Sequence, residues 1–195
     1  MKNDDSVTLT IQNLAHDGRG VARSNGKTVF VSNALPGETV EAKVGRIHRS
    51  FDEAKGSSIL SGKSDLRVVP TCEYFGKCGG CDLQHIRHSY QLEYKQIVLA
   101  EILVRHSDLT AEKELAAVAS RPRGYRRNAR ISISGSPTHG LKLGFREKGS
   151  SSVVNCLTCD VLKSSLSDLL PHLATLIQGL DLKSCISEAE LLSTG

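Results

Sequence analysis

Over the first sixty positions, apolar and polar residues alternate in short runs, and each run stops at a glycine turn. VTLTIQ sets Val7, Leu9 and Ile11 on one side, GVAR follows the turn HDGRG, and KTVFVS follows SNG. TVEAKVGRI, after Pro36-Gly37, alternates Val40, Ala42 and Val44. A period of two is the mark of half-buried strands, and the glycine-containing breaks are tight turns. The pattern predicts a small antiparallel β-barrel over residues 1–62.

SGKSDLRVV is a polar connection into Pro70, and the period then changes. From Ser89 to His106, Tyr90, Tyr94, Ile97, Val98 and Ile102 recur every three or four residues, which predicts a helix packing through that stripe. Strand-like runs return with ARISIS, LKLGFR and SSVVN, separated by turns at Gly135-Ser136-Pro137 and Lys148-Gly149. Leu166, Leu169, Leu170, Leu173, Leu176, Ile177 and Leu180 recur at helical spacing, with Pro171 placed to kink the helix or start a second one. EAELLSTG reads as the opening of a further strand. Strands and helices are segregated, so residues 90–195 are expected to be an incomplete α+β domain, and the chain as a whole α+β.

Composition adds little to this except at the cysteines and the cations. With 39% hydrophobic and 24% charged residues among 195, the chain is globular, with material for one substantial core or two small ones. No apolar run nears the roughly 18 residues of a membrane span, and MKNDDS is acidic where a secretion signal is basic. The expectation is a cytoplasmic, monomeric protein with no membrane partner. A reducing compartment disfavours disulfides and leaves the six cysteines to metal or redox chemistry.

Cys72, Cys78 and Cys81 form C-x5-C-x2-C, and Cys156 with Cys159 forms a remote C-x2-C. Gly76, Gly79 and Gly80 let the first group wrap tightly and turn backbone N–H groups toward sulfur. Spacing leaves two centres open. Zinc would take Cys78, Cys81, Cys156 and Cys159 and leave Cys72 unused, whereas an iron-sulfur cluster would take the three close cysteines and one remote one. His85 and His88 read as hydrogen-bonding or surface residues rather than ligands, and Cys185 as a small buried apolar residue.

The net charge of +4 is unevenly spread. Residues 61–150 carry 15 Lys and Arg against 9 acids, and between Arg121 and Lys148 eight cations face the single acid Glu147. Such density suits a polyanion. RPRGYRRNAR surrounds Tyr125 with Arg121, Arg123, Arg126, Arg127 and Arg130, a mixture able to bind phosphate and stack on bases, and Phe145-Arg146 repeats the pairing. In the N-terminal region Arg19, Arg23, Lys27 and Arg46 lie in or beside turns, where a small barrel can present them to a ligand.

Taken together, these motifs resemble a known family. GRGVARSNGKTVFVSNALPGETVEAKV is similar to a TRAM domain, a small RNA-binding β-barrel. CEYFGKCGGCDLQH, GYRRNARISI and LKLGFREKGSSSVVNCLTCDVL are similar to the iron-sulfur and central domains of S-adenosylmethionine-dependent RNA uracil-5 methyltransferases, the branch acting on large-subunit ribosomal RNA. The resemblance implies a 4Fe-4S cluster on Cys72, Cys78, Cys81 and Cys159, carried by a loop over residues 63–89, and ribosomal RNA as partner. It implies S-adenosylmethionine only in the complete enzyme. The family's donor-binding loop, nucleophile and base have no counterpart in this sequence, so no catalytic residue is assigned. The chain is expected to be the RNA-recognition half of such an enzyme, inactive alone. The rival reading is a stand-alone RNA-binding module with a structural zinc.

Overall fold

The alternating runs of the first sixty residues form β1 (Ser6–Thr10), β2 (Asn13–Leu14), β3 (Gly20–Ser24), β4 (Lys27–Ser32), β5 (Thr39–Ile47) and β6 (Phe51–Ser61) in the computed structural model, which describes residues 2–107, 109–136, 140–180 and 185–194. Two units are distinguished, residues 1–69 with 82–117 and residues 70–81 with 118–195. In the first, one side of each strand supplies the core: Leu9, Ile11, Ala22, Val29, Val31, Val40, Ala42 and Ala54, joined by Ala34. Asn25 and Gly26, with φ of 51° and 77°, form the two-residue turn between β3 and β4 that matches the twist of a hairpin.

The closed antiparallel barrel expected here is not what forms. The six strands run in the order β1-β5-β6-β4-β3-β2, and among the described residues no ladder joins the ends. β2 offers only two residues for pairing. The β4–β6 pair is parallel, from Thr28↔Phe51 to Ser32↔Lys55, because the chain leaves β4, crosses to β5, and returns through a hairpin that lays β6 between the two. Hydrophobic periodicity does not reveal β6. Its inward positions are Asp52, Ala54 and Gly56, and the buried Asp52 is matched by Lys27 at 2.6 Å.

One buried carboxylate fastens the β4–β5 crossover to the segment after β6. Glu38, fully buried, accepts hydrogen bonds from the N–H of Leu35 (2.9 Å) and of Ser64 (3.3 Å), and from Arg67 Nε (2.6 Å) and Nη2 (2.7 Å). Arg67 also reaches Asn33, whose φ is 60°. Burial would raise the Glu38 pKa, but the hydrogen bonds and positive charge of Arg67, with the two backbone donors, outweigh it and hold the group below its ordinary value.

The expected helix is α1 (His88–Ser107), yet its stripe is not a core. Only Tyr94 is buried, its hydroxyl donating to the Ala15 carbonyl, while Ile97 and Ile102 are exposed. The stripe is correctly phased, but the helix buries only Tyr94, in its N-terminal half, against the turn after β2.

The second unit builds a four-stranded antiparallel sheet in the order β10-β7-β8-β9, from β7 (Asn128–Ser136), β8 (Gly140–Arg146), β9 (Val153–Asn155) and β10 (Glu188–Leu192). At the turn expected between β7 and β8, Pro137 lies outside the described residues. α2 (Ser164–Ser167) and α3 (Leu169–Gln178) place Leu166, Leu170 and Ile177 against Ile131, Ile133 and Leu143. Pro171 stands in the first turn of α3, where a missing N–H costs no hydrogen bond, so a second helix starts there. Cys185 is exposed rather than buried, and the neighbouring Ile186 packs on the core instead.

Removing Arg67 would leave Glu38 buried without its cation, so Arg67→Ala is expected to cost about 3–5 kcal/mol in urea unfolding at neutral pH. The sign follows from the lowered pKa. Stability contributed by Glu38 is fully present above the unfolded carboxylate value of about 4.3 and is lost as pH falls through the folded value. The gap between wild type and variant should therefore narrow on acidification. A gap that is constant with pH would refute the assignment.

Candidate functional site

The cations predicted to meet a ligand fall into two groups. In the first unit, Arg19 leaves the turn before β3 and is committed on two sides, to Asp17 at 2.7 Å and Glu53 at 3.0 Å, with its guanidinium 4.6 Å above the Phe30 ring. Lys27 is likewise spent on Asp52 and on the His48 carbonyl. Arg23 on β3 and Arg46 on β5 are exposed. The four do not make one open basic patch.

In the second unit, Arg123, Tyr125, Arg127 and Arg130 are all exposed. Arg126 is different. Its N–H donates to the Val161 carbonyl and its own carbonyl accepts from Lys163, both at 2.9 Å. Its side chain turns back, with Nε donating to the Asn128 carbonyl at 3.0 Å and the guanidinium 6.0 Å over Phe145. This half-buried arginine is the fastener that holds the exposed ones in place. The Gly124 N–H adds a further bond to the Asp160 carbonyl at 2.9 Å.

Phe145 and Arg146 do not share a face. Consecutive strand residues point to opposite sides, so Phe145 packs against the core while Arg146 is exposed. Glu188 of β10 stands between two of the predicted cations, 3.9 Å from Arg130 Nε and 3.5 Å from Arg146 Nη2. Sequence reasoning missed this acid, because its neighbours depend on β10 pairing with β7, forty or more residues away. Its only signal is its outward place in the alternation of EAELL.

The loop carrying Cys72, Cys78 and Cys81 is stitched to the β8–β9 hairpin and to the segment after β9. The Gly79 N–H donates to the Arg146 carbonyl at 2.9 Å and the Lys148 N–H to the Lys77 carbonyl at 3.0 Å. Thr71 Oγ1 donates to Asp160 at 2.6 Å. These bonds bring Cys72 and Cys78 near Cys159, whose N–H is held by Ser167 Oγ at 2.9 Å. Burial raises the Cys72 thiol, and the charges of Asp160, Cys159 and Cys78 raise it further; burial and the charge of Cys159 do the same to Cys78. Cys159 thus lies close enough to both Cys72 and Cys78 for its charge to act on each.

The donor chemistry suits a cationic centre. The Gly80 N–H points at Cys78 Sγ, 3.4 Å away, and at Gly79 a Cβ would stand 3.1 Å from the Arg146 carbonyl. Even so, among the described residues no three His, Cys, Asp or Glu side chains stand in the geometry of a metal site. Cys156 behaves as a structural thiol: it is buried, donates to the Thr158 carbonyl at 2.8 Å, and is pushed up to about 12 by burial and then by the neighbouring sulfurs. His85 is buried, and His88 begins α1.

The chain is similar to known proteins over most of its length. Residues 5–55 match the TRAM domain family. The chain is 44% identical over 188 residues to a protein of Halomonas elongata named 23S rRNA (uracil(1939)-C(5))-methyltransferase RlmD, covering 95% of this chain and 38% of the relative. The protein of the same name from Alcanivorax borkumensis is 42% identical over 183 residues, with 93% and 41% covered. Among solved structures, a Pyrococcus abyssi tRNA (uracil-54, C5)-methyltransferase in complex with S-adenosyl-L-homocysteine matches with a TM-score of 0.63 and 25% identity, over 88% of this chain and 36% of its own. The chain thus spans about two fifths of the length of the curated relatives it matches. Among the described residues no helix is long and apolar enough to cross a membrane.

Gly144 joins the sheet to the cysteine region. At its φ of 155° an added Cβ would stand 2.3 Å from the Val154 carbonyl oxygen and 2.8 Å from Cys156. Gly144→Ala is expected to cost roughly 2 kcal/mol or more from strain and overpacking, read as a lowered urea midpoint. A midpoint equal to wild type would show that β9 gives way freely.

Proposed function

We propose that this chain, which belongs to the TRAM-containing family of RNA uracil-C5 methyltransferases and spans its N-terminal part, supplies the RNA-gripping portion of an enzyme that methylates uracil in 23S ribosomal RNA. The observation that carries the reading is the extent of the likeness, since above 40% identity runs through nearly the whole chain and includes a TRAM domain. In the complete enzyme S-adenosylmethionine would supply the methyl group. No residue of this chain is given a catalytic role.

The residues assigned to RNA are those the fold leaves exposed. Arg123, Arg127 and Arg130 would meet phosphates, and Tyr125, 50% exposed among them, would stack on an unpaired base. Arg126 acts through them as a positioning residue. In the TRAM domain Arg23 and Arg46 are the exposed cations; Arg19 and Lys27 shape the surface more than they contact it. Arg146 contributes on the sheet face it shares with Arg130 and Glu188.

A 4Fe-4S cluster held by Cys72, Cys78, Cys81 and Cys159 belongs to the same reading. It is supported by the shared neighbourhood of the Cys72, Cys78 and Cys159 sulfurs. When bound, the group would act as an inorganic cross-link between residues 71–81 and the segment around Cys159, holding the segment that anchors Arg126. Cys156, already engaged as a thiol donor, stands outside the ligand set. A stand-alone zinc module is not favoured, because the relatives carry the methyltransferase name over the same region.

Two measurements test these assignments. Arg123→Ala combined with Arg127→Ala is expected to weaken binding to a 23S ribosomal RNA transcript at least ten-fold and to flatten the salt dependence by about two phosphate contacts. Unchanged affinity with the fold intact would remove the patch from the interface. Separately, protein purified without oxygen is expected to carry about four iron and four sulfide per chain. Both should be lost in Cys72→Ser and Cys159→Ser and kept in Cys156→Ala. Stoichiometric zinc in a colourless protein would overturn the cluster.

A further inference from the structure

Four side chains stand in one row on the outward face of the TRAM domain. The Arg19 guanidinium lies 4.6 Å over Phe30; Phe30 meets Phe51 edge-on, with centroids 5.4 Å apart and planes at 74°; and Phe51 stacks on His48 at 4.2 Å and 24°. The core does not require the two rings. Val29 and Val31 take the inward positions of β4, leaving Phe30 outward and half-buried, and Phe51 opens β6 across from Thr28. A chain with four phenylalanines and no tryptophan has thus placed two of them on one outer sheet face.

The row ends on an available surface. His48 lies in the β5–β6 turn with its side chain 39% exposed. Its backbone is held on both sides: its N–H donates to the Phe51 carbonyl at 3.0 Å, and its carbonyl accepts from Lys27, itself fixed by the buried Asp52. Glu53 lies 3.9 Å from Nε2, on the side from which a phosphate would be repelled. Arg46 and Arg49, within two residues of His48, are exposed. A held ring that is more than a third exposed, flanked by arginines, suits a nucleotide whose base is not paired, since a paired base has both faces covered by its own stack.

We propose that this row is a base-stacking platform, on which an unpaired RNA base lies against the outer face of His48 while the phosphates flanking it meet Arg46 and Arg49. The proposal rests on the RNA-binding reading above and adds a site to it. Arg19, Phe30 and Phe51 back the His48 ring, and their edge-on and stacked packing keeps it from turning away when a base leaves.

The test uses the full chain and fluorescence anisotropy with three probes: a single-stranded oligoadenylate RNA of about 12 nucleotides, an RNA duplex of the same length, and inorganic polyphosphate. His48→Ala is expected to weaken oligoadenylate binding roughly ten-fold while leaving duplex and polyphosphate binding unchanged, and His48→Tyr should restore it. Arg49→Ala should weaken all three and flatten the salt dependence by about one contact. Thermal melts are recorded for each variant, and the His48→Tyr rescue separates stacking from folding. Oligoadenylate binding indifferent to His48, an equal loss on polyphosphate, or failure of the tyrosine to rescue would each overturn the platform while leaving RNA binding standing. A wild-type chain that binds neither RNA would overturn both readings.

Discussion

Glu38 has no exposed surface, and a carboxylate in that position is tolerable only because four donors converge on it, two from the backbone and two from Arg67. A buried charge with fewer partners would neutralise itself or open the fold. The geometry of the β-domain follows from that requirement. The Leu35 N–H lies in the middle of the crossover from β4 to β5 and the carboxylate at its β5 end, so the bond between them closes a turn there. Ser64 and Arg67 come from the chain after β6, so the same carboxylate fixes where β6 ends. With both ends held, β6 has one place to lie, between β5 and β4, and it pairs antiparallel with the first and parallel with the second. That insertion brings Phe51 beside Phe30 and Asp52 beside Lys27. The outer row of rings and the neutralised lysine are thus downstream of one inner ion pair.

The sequence carried the strands better than their arrangement. Leu9 and Ile11, and Val40, Ala42 and Val44, are buried as their alternation implies, since a period of two needs only local geometry to act. β6 was not legible, because its inward positions hold an aspartate, an alanine and a glycine, and the aspartate is inside only by virtue of Lys27, twenty-five residues earlier. The same limit applies to α1. Its stripe predicts a helix correctly, but whether a stripe is covered depends on what lies against it, and here only Tyr94 is buried. Cys185 fails for the converse reason: its apolar neighbourhood is real, but Ile186 takes the core position and turns it outward.

For the functional residues the division is similar. The density of arginine from 121 to 130 was visible without a structure, and so was the company of Tyr125. What each cation does was not, because exposure is decided by partners distant in sequence. Arg126 and Arg127 are adjacent and chemically identical, yet one is bonded to backbone and laid over Phe145 while the other is exposed. Arg130 and Arg146 are both exposed but share Glu188, which lowers the local field a phosphate would meet. The cysteines show the reverse case. Their crowding is plain in the sequence, and the fold shows what their spacing could not: Gly79, Lys148 and Thr71 pin the loop to strands and turns contributed by the later half of the chain, near Cys159.

The distribution of paired and exposed cations is itself informative about binding. Arg19 and Lys27, whose charges lie against the sheet, are matched by Asp17, Glu53 and Asp52 at ion-pair distance. A cation in that position is partly desolvated, so leaving it unpaired would destabilise the β-domain before any ligand arrived. Arg49, Arg123 and Arg127 lie in turns or beside strand ends, where water solvates an exposed guanidinium and exposure costs the fold little. The requirement to fold therefore selects which arginines remain available to a polyanion, and it selects those on projecting segments. Within each unit, taken by itself, that placement suits a polyanion approaching from solvent, and in the first unit the outer sheet face carries the rings of Phe30 and Phe51.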